Sequence, residues 1–304
     1  MLINSANLKT LFTAYNAAFK QGLGQAAGQW QQVATPVPST TAAEEYAWLG
    51  ALPGLREWLG DRVVHGIQGH GYTIKNRAFE LTVAVPRNAI EDDQYGVYTP
   101  LMQEMGSAAG AHPDQLIFGL LAQGREELCY DGAPFFSTEH KVINAKGKEV
   151  KVSNVDDDAS ATTPSWYLLD TRRSLKPLIL QTRKEPNFVS KTTETDDNVF
   201  WDGEYVYGVD CRRAAGFAFW QLAYASNKAL TAENLQAAIT AMSTQTGDHG
   251  RPLGISPNLL VVPKALRFDA KRLLEAELLV GPNGATTESN VLRGAAELLV
   301  ADWL

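Results

Sequence analysis

The sequence is poor in several things. Cysteine occurs twice in 304 residues, at Cys129 and Cys211, with no metal-ligand spacing around either. A disulfide scaffold and a zinc ribbon are therefore excluded, and two free, mostly buried thiols are expected. No apolar run approaches the roughly 20 residues a membrane-spanning helix requires. The longest, Leu259–Val262 and Leu298–Ala301, are short enough to be buried strands, so a soluble chain without a membrane partner is expected. The start, Met1-Leu2-Ile3-Asn4-Ser5, lacks a basic patch followed by an apolar stretch, so no secretory signal is expected. Positive charge is in deficit: 27 Lys and Arg stand against 34 Asp and Glu, a formal net charge of -7. That balance argues against a protein that grips nucleic acid through its phosphates. No P-loop and no nucleophile elbow occur, and Gly22, Gly24 and Gly28 follow a helix at a spacing unlike that of a dinucleotide loop.

What is present is a globular composition, 45% apolar and 20% charged. Leu8, Leu11, Phe12, Tyr15 and Phe19 recur at helical spacing and predict a helix over Asn7–Phe19, ended by the glycines. Val33–Thr41, with two prolines, predicts an extended arm outside the core. Arg62–Ile67 and Tyr72–Val85 alternate and predict a β-ribbon carrying Arg62, Lys75 and Arg77 towards its tip. Such a ribbon is marginal alone and is expected to lean on another copy. After Glu91-Asp92-Asp93 the longest helix runs from about Pro100 to Gln123, with Thr99 as cap, a kink or split at Pro113 and its end at Gly124. Residues 144–163 predict a polar surface loop. Trp166–Asp170 and Leu178–Thr182 predict paired strands, and the aromatic run Val199–Tyr224 a second sheet. Thr231 caps a helix, Leu259–Val262 is a buried strand, Lys264–Ala276 a helix and Ala296–Ala301 a last strand.

Candidate chemistry is sparse. His65 and His70 are five apart in glycine-rich chain and make a poor metal pair, while His112, His140 and His249 have no visible partner. Asp156, Asp157 and Asp158 read as a solvated run before they read as a cation site. Glu91, Asp92 and Asp93 suit the start of a helix, where the dipole favours acids. They could also face Arg62, Lys75, Arg77 or Arg87 of a neighbouring copy, giving orientation more than affinity. No catalytic, cofactor-binding or metal residue is nominated, and no cofactor is expected.

Long runs now carry a resemblance. ATPVPSTTAAEEYAWLGAL at Ala34–Leu52, REWLGDRVV at Arg56–Val64, YTIKN at Tyr72–Asn76 and FELTVAVPRNAIEDDQYGVYTPLMQEMG at Phe79–Gly106 resemble the Mu-like phage major head subunit, the gene-product-T family. So do CYDGAPFF at Cys129–Phe136, WYLLDTRRSLKPLILQTRKEPNF at Trp166–Phe188, YGVDCRRAAGFAFWQLAYAS at Tyr207–Ser226 and GDHGRPLGISPNLLVVPKAL at Gly247–Leu266. The resemblance implies an α+β chain of the Hong Kong 97-type capsid fold. It implies an N-terminal arm over residues 1–55 and an E-loop over 56–88. A peripheral (P) domain is implied over 89–127 and 166–226, with its spine helix at about 100–123, a loop region over 128–165 and an axial (A) domain over 227–304.

By the same resemblance, copies self-assemble into hexamers and pentamers of an icosahedral shell that encloses double-stranded DNA without sequence-specific binding. The partners implied are a scaffold or protease, a portal and decoration proteins, and the location is the virion capsid, assembled in the host cytoplasm. Candidate contacts between copies are Arg62, His65, Tyr72, Lys75, Arg77, Arg87, Glu91, Asp92 and Asp93. An encapsulin-like compartment shares the fold, and a cytosolic hydrolase is the alternative of another class.

Overall fold

The computed structural model describes residues 4–26, 28–46, 71–93, 96–280 and 287–304. The chain begins with α1 (Ser5–Gln25), β1 (Ala34–Pro38) and β2 (Ala43–Glu45). Next come β3 (Thr73–Lys75), β4 (Arg77–Pro86), the short α2 (Arg87–Asp92) and the long α3 (Thr99–Ala122). The hairpin β5 (His140–Ile143) and β6 (Glu149–Val152) leads through β7 (Val155–Asp156) to β8 (Trp166–Leu169), β9 (Leu178–Lys191), α4 (Asp197–Trp201) and β10 (Glu204–Phe217). The remainder is β11 (Ala223–Ser226), α5 (Ala232–Ser243), β12 (Leu259–Pro263), α6 (Arg267–Glu275), β13 (Leu278–Val280), β14 (Thr287–Ser289) and β15 (Glu297–Ala301).

Two sheets organise these elements. One has the order β1-β9-β10-β4 and the other β15-β12-β8-β11-β7. In the first, β9 and β10 form a long antiparallel hairpin with α4 at its tip, and β4 pairs with β10 from Arg77↔Arg213 to Pro86↔Glu204. In the second, β8 and β12 are buried along their whole length. Their unalternated sequences, Trp-Tyr-Leu-Leu and Leu-Leu-Val-Val, suit strands covered on both faces.

The structure departs from several sequence expectations. Trp166–Asp170 and Leu178–Thr182 do not pair; β8 joins β12 and β11, while β9 joins β1 and β10. Both begin with an apolar run, Trp166–Leu169 and Leu178–Leu180, and such runs do not encode which partner they take. Val33–Thr41 is not an arm outside the core but contains the edge strand β1, with Val33 and Ala34 buried. The Val33 carbonyl accepts from the Leu178 N–H and the Ser39 N–H donates to the Thr182 carbonyl, so odd-numbered residues face β9. Pro36 and Pro38 therefore face outward, where a missing N–H breaks no ladder bond. The stretch 144–163 holds β6 and β7; the Asn144 side chain closes the hairpin turn by accepting from the N–H groups of Lys146 and Lys148, with Gly147 at φ 73°.

Nor do the glycines end the first helix. α1 runs through Gly22 and Gly24 because Gly22 lies on the backbone of α3, where a Cβ would sit 1.9 Å from the Gln103 carbonyl oxygen. Gly106 of α3 meets α1 in the same way, 2.0 Å from the Phe19 carbonyl. Gly22 and Gly106 form the contact surface of two closely packed helices. Helix α3 starts at Thr99 with Tyr98 in the cap position, and it continues through Pro113 without splitting. Its two halves are fixed in different cores: Met102 and Met105 pack with Tyr15, Phe19, Phe188 and Tyr207, while Ile117, Phe118 and Leu121 belong to the larger core shared with β8, β11 and β12. Packing on both sides of Pro113 offsets the single backbone hydrogen bond that a proline removes.

Other expectations hold. Thr231 caps α5, accepting from the Asn234 N–H, and the strand and helix at Leu259–Pro263 and Arg267–Glu275 form as read. Both cysteines are free and buried. The sheets also cross the implied domain lines. The five-stranded sheet unites β7, from the loop region, and β8 and β11, from the P-domain span, with β12 and β15 of the A-domain span. β4, inside the E-loop span, hydrogen-bonds to β10 along its whole length.

Candidate assembly surface

The described residues on either side of 47–70 form a paired stem. Strands β2 and β3 pair antiparallel, and the Tyr46 N–H donates to the Tyr72 carbonyl at 2.8 Å. Buried Gln181 of β9 fastens both sides: its Oε1 accepts from the Tyr46 hydroxyl at 2.8 Å, and its Nε2 donates to the Ile74 carbonyl at 3.1 Å and to Asn76 Oδ1 at 2.9 Å. The Tyr72 hydroxyl accepts from the Phe217 N–H at 2.8 Å. Beside it a Cβ on Gly216 would lie 2.1 Å from Ile74 Cδ1, so any larger residue there would have to displace the Ile74 side chain. Burial pushes the hydroxyl pKa of both Tyr46 and Tyr72 up to about 12, so both stay neutral near pH 7, Tyr46 donating to Gln181 and Tyr72 accepting from Phe217. Glu44 closes the preceding turn, accepting from the N–H groups of Thr40 and Thr41 and from the Ser39 hydroxyl, which lowers its pKa to about 2.

The nominated contact residues that the structure describes separate into two groups. Lys75 and Arg77 are exposed at the stem, the Arg77 guanidinium 5.8 Å over the Phe79 ring, and Asp92 is exposed at the end of α2. The others are engaged within the chain. Tyr72 serves Phe217, Arg87 Nε binds Glu91 at 3.1 Å along α2, and Asp93 Oδ1 accepts from the N–H groups of Gly96 and Val97. Arg62 and His65 lie outside the described residues, as does His70. An open groove of about 450 Å³ runs beside the stem between β3 and α3, lined by Tyr72, Lys75, Leu116, Leu120 and Leu128 among others. At the far end of the β9–β10 hairpin, Phe200 and Trp201 stand 69% and 77% exposed, edge to face at 4.9 Å.

His140, read as lacking a partner, and the Asp156–Asp158 run, read as solvated, are both knotted into the body. His140 is fully buried, stacked 4.0 Å from Trp220; its Nδ1 lies 2.6 Å from Asp131 Oδ2 and its Nε2 3.3 Å from the Phe135 carbonyl. The Cys129 thiol donates to Asp131 Oδ1 at 3.1 Å. These three side chains place ligand-type atoms within 4.8 Å of one another, but each already faces a hydrogen-bond partner, and burial raises the thiol pKa far above neutrality. The cluster ties the turn 129–135 to β5. The Asp156–Asp158 run is likewise not a bare solvated loop: Asp157 takes a bidentate pair from Arg125, Asp156 pairs with Lys228, and Asp158 accepts from Ser160. The acidic run was hidden by partners distant in sequence, Arg125 and Lys228, whereas Asp131 stands only nine residues from His140.

This chain-wide architecture has relatives. The model of the family described as Mu-like prophage major head subunit gpT matches residues 8–304. The chain belongs to this family. It is 42% identical over 307 residues to the major capsid protein of Escherichia phage Mu, covering 100% of both chains. It is 46% identical over 301 residues to the Mu-like prophage FluMu major head subunit of Haemophilus influenzae, covering 98% of this chain and 97% of that one. A chain of the bacteriophage JBD30 procapsid superposes with a TM-score of 0.83 and 47% identity, over 99% of this chain and 100% of that one. A chain of the JBD30 capsid gives 0.79 and 35%, over 100% and 99%. A JBD30 capsid decorated with minor capsid protein trimers gives 0.77 and 34%, over 94% of each. The α+β arrangement described above is thus the Hong Kong 97-type capsid fold, and the chain is a structural phage-head protein, not an enzyme.

Proposed function

We propose that copies of this chain assemble into the hexamers and pentamers of an icosahedral tailed-phage head that encloses double-stranded DNA. The observation carrying this reading is the end-to-end likeness to procapsid and capsid chains, which extends over both sheets and the spine helix. A net charge of -7 fits a wall that contains DNA without gripping it. In this reading the span 56–88 is the E-loop that crosses to a neighbouring copy. Its return leg continues into β4, so its base is held by the body's own sheet. Exposed Lys75 and Arg77 on one copy meet acidic side chains such as Asp92 on the next, with Arg62 and His65 as further contacts. Tyr72, Arg87, Glu91 and Asp93 act indirectly, by holding those segments in shape.

The partners are a scaffold or protease and a portal during assembly in the host cytoplasm. Minor capsid protein trimers, which decorate the JBD30 capsid, are the kind of decoration partner the outer surface would take. Sedimentation velocity of the expressed chain tests the proposal: shell-sized or capsomer-sized species are expected, and a monomer at every concentration would refute it. Arg77→Glu tests the contact itself. It should leave the melting temperature nearly unchanged, as an exposed substitution does, while lowering particle yield several-fold; unchanged yield removes Arg77 from the interface.

A further inference from the structure

Arg213 is 3% exposed, yet its charge is poorly matched from within the chain. The β9–β10 register shifts between Asp210 and Arg213, an irregularity of the kind that re-aims a side chain. Among the described residues, Arg213 Nε has no hydrogen-bond acceptor. Among the described residues its ion-pair partner is Glu185, at 3.9 Å, beyond hydrogen-bond reach, with a side chain 80% exposed, and its one side-chain hydrogen-bond partner is the uncharged Cys211 thiol. Arg213 lines a pocket of about 230 Å³ together with Leu23, Trp30, Gly110, Pro113 and Glu185. A buried guanidinium that lines a pocket favours a counter-charge with two acceptor oxygens.

We propose that this pocket receives a carboxylate side chain from a second copy of the chain in the assembled shell, gripped by the fork of Arg213. The inference rests on the shell-forming reading and names one contact within it. The pocket is too small, and Arg213 too deeply set, for the phosphate backbone of a duplex. The chain itself supplies the ligand: with 34 acidic residues against 27 basic ones, carboxylates are the charged groups that neighbouring copies present in excess. Arg213 recognises a carboxylate through a planar two-donor face, which a lysine does not reproduce.

The test uses Arg213→Lys in particles assembled from an equal mixture of ¹⁴N- and ¹⁵N-labelled chains and treated with a carbodiimide. An amide then forms wherever the introduced amine touches a carboxylate, and mass spectrometry reads its two ends. Mixed-label cross-links, present in particles and absent from unassembled chains, are expected. Cross-links only to Glu185 of the same chain, or none in particles, overturn the proposal. Should that variant not assemble, Glu185→Gln with Arg213 intact decides: an assembly threshold within about twofold of the parent is expected, and a tenfold rise overturns the proposal by making Glu185 the counter-charge. Failure of the unaltered chain to form particles would instead sink the shell reading, so the two failures are distinguishable.

Discussion

Asp170 is fully buried at the end of β8, where burial alone would oppose its charge. Hydrogen bonds from the Arg172 side chain and from the N–H groups of Arg172 and Ser256 outweigh that penalty and hold its pKa below the ordinary carboxylate value. A carboxylate depressed on folding contributes stability above its unfolded pKa of about 3.9, and loses it as pH falls through the lower folded value. Asp170→Asn should therefore cost about 2 kcal/mol near pH 7, measured by urea unfolding of the unassembled chain, with the gap closing below about pH 4. His112 has the same sign for the opposite reason. Burial, with the charge of Arg213 second, pushes its pKa down to about 4, while the unfolded value is about 6.5. The unfolded chain then binds more protons between those values, so stability falls as pH drops from 6.5 towards 4. His112→Phe should flatten that slope; an unchanged slope would show that the proton uptake lies elsewhere. Neither residue announces this in the sequence, because the Asp170 partner Ser256 and the His112 neighbours Phe79 and Arg213 are supplied by other elements.

Elements were legible where their signal is local. The Thr231 cap and the periodicity of Leu235, Ala238 and Met242 sufficed for α5, and Thr231→Ala should cost about 1 kcal/mol in thermal unfolding. Glycine was misread because its two uses, ending a helix and letting two helices touch, look identical along the chain. The structure separates them. A Cβ on Gly22 would strike the α3 backbone, so Gly22→Ala should destabilise by about 1–3 kcal/mol. At Gly24 nothing lies within 4 Å, so Gly24→Ala should be neutral or stabilising by up to about 1 kcal/mol. Equal effects at the two positions would contradict the packing described for α1 on α3. Strand existence was likewise read correctly at β8, β9 and β12, whereas strand partnership was not, since register and neighbour are set by the whole sheet.

At the scale of the molecule, the fold class and the family came from long matched runs, which no single motif could replace. The surface that makes the chain useful is less visible. Of the nominated contacts, those exposed at the stem and on α2 remain outward-facing, and several others turn out to brace their own segment. Charge pattern alone could not distinguish a residue that meets a neighbour from one that holds a turn. In the proposed reading the stem joins fold to function: Gln181, Tyr46 and Tyr72 bind together the residues that flank 47–70. Cryo-electron microscopy of particles formed by the expressed chain tests the central claim most directly. Closed shells whose capsomers contain six and five copies, with the chain between Tyr46 and Gly71 of one copy lying on another, are the predicted result. Particles lacking those symmetries, or that segment folded back on its own subunit, would contradict it.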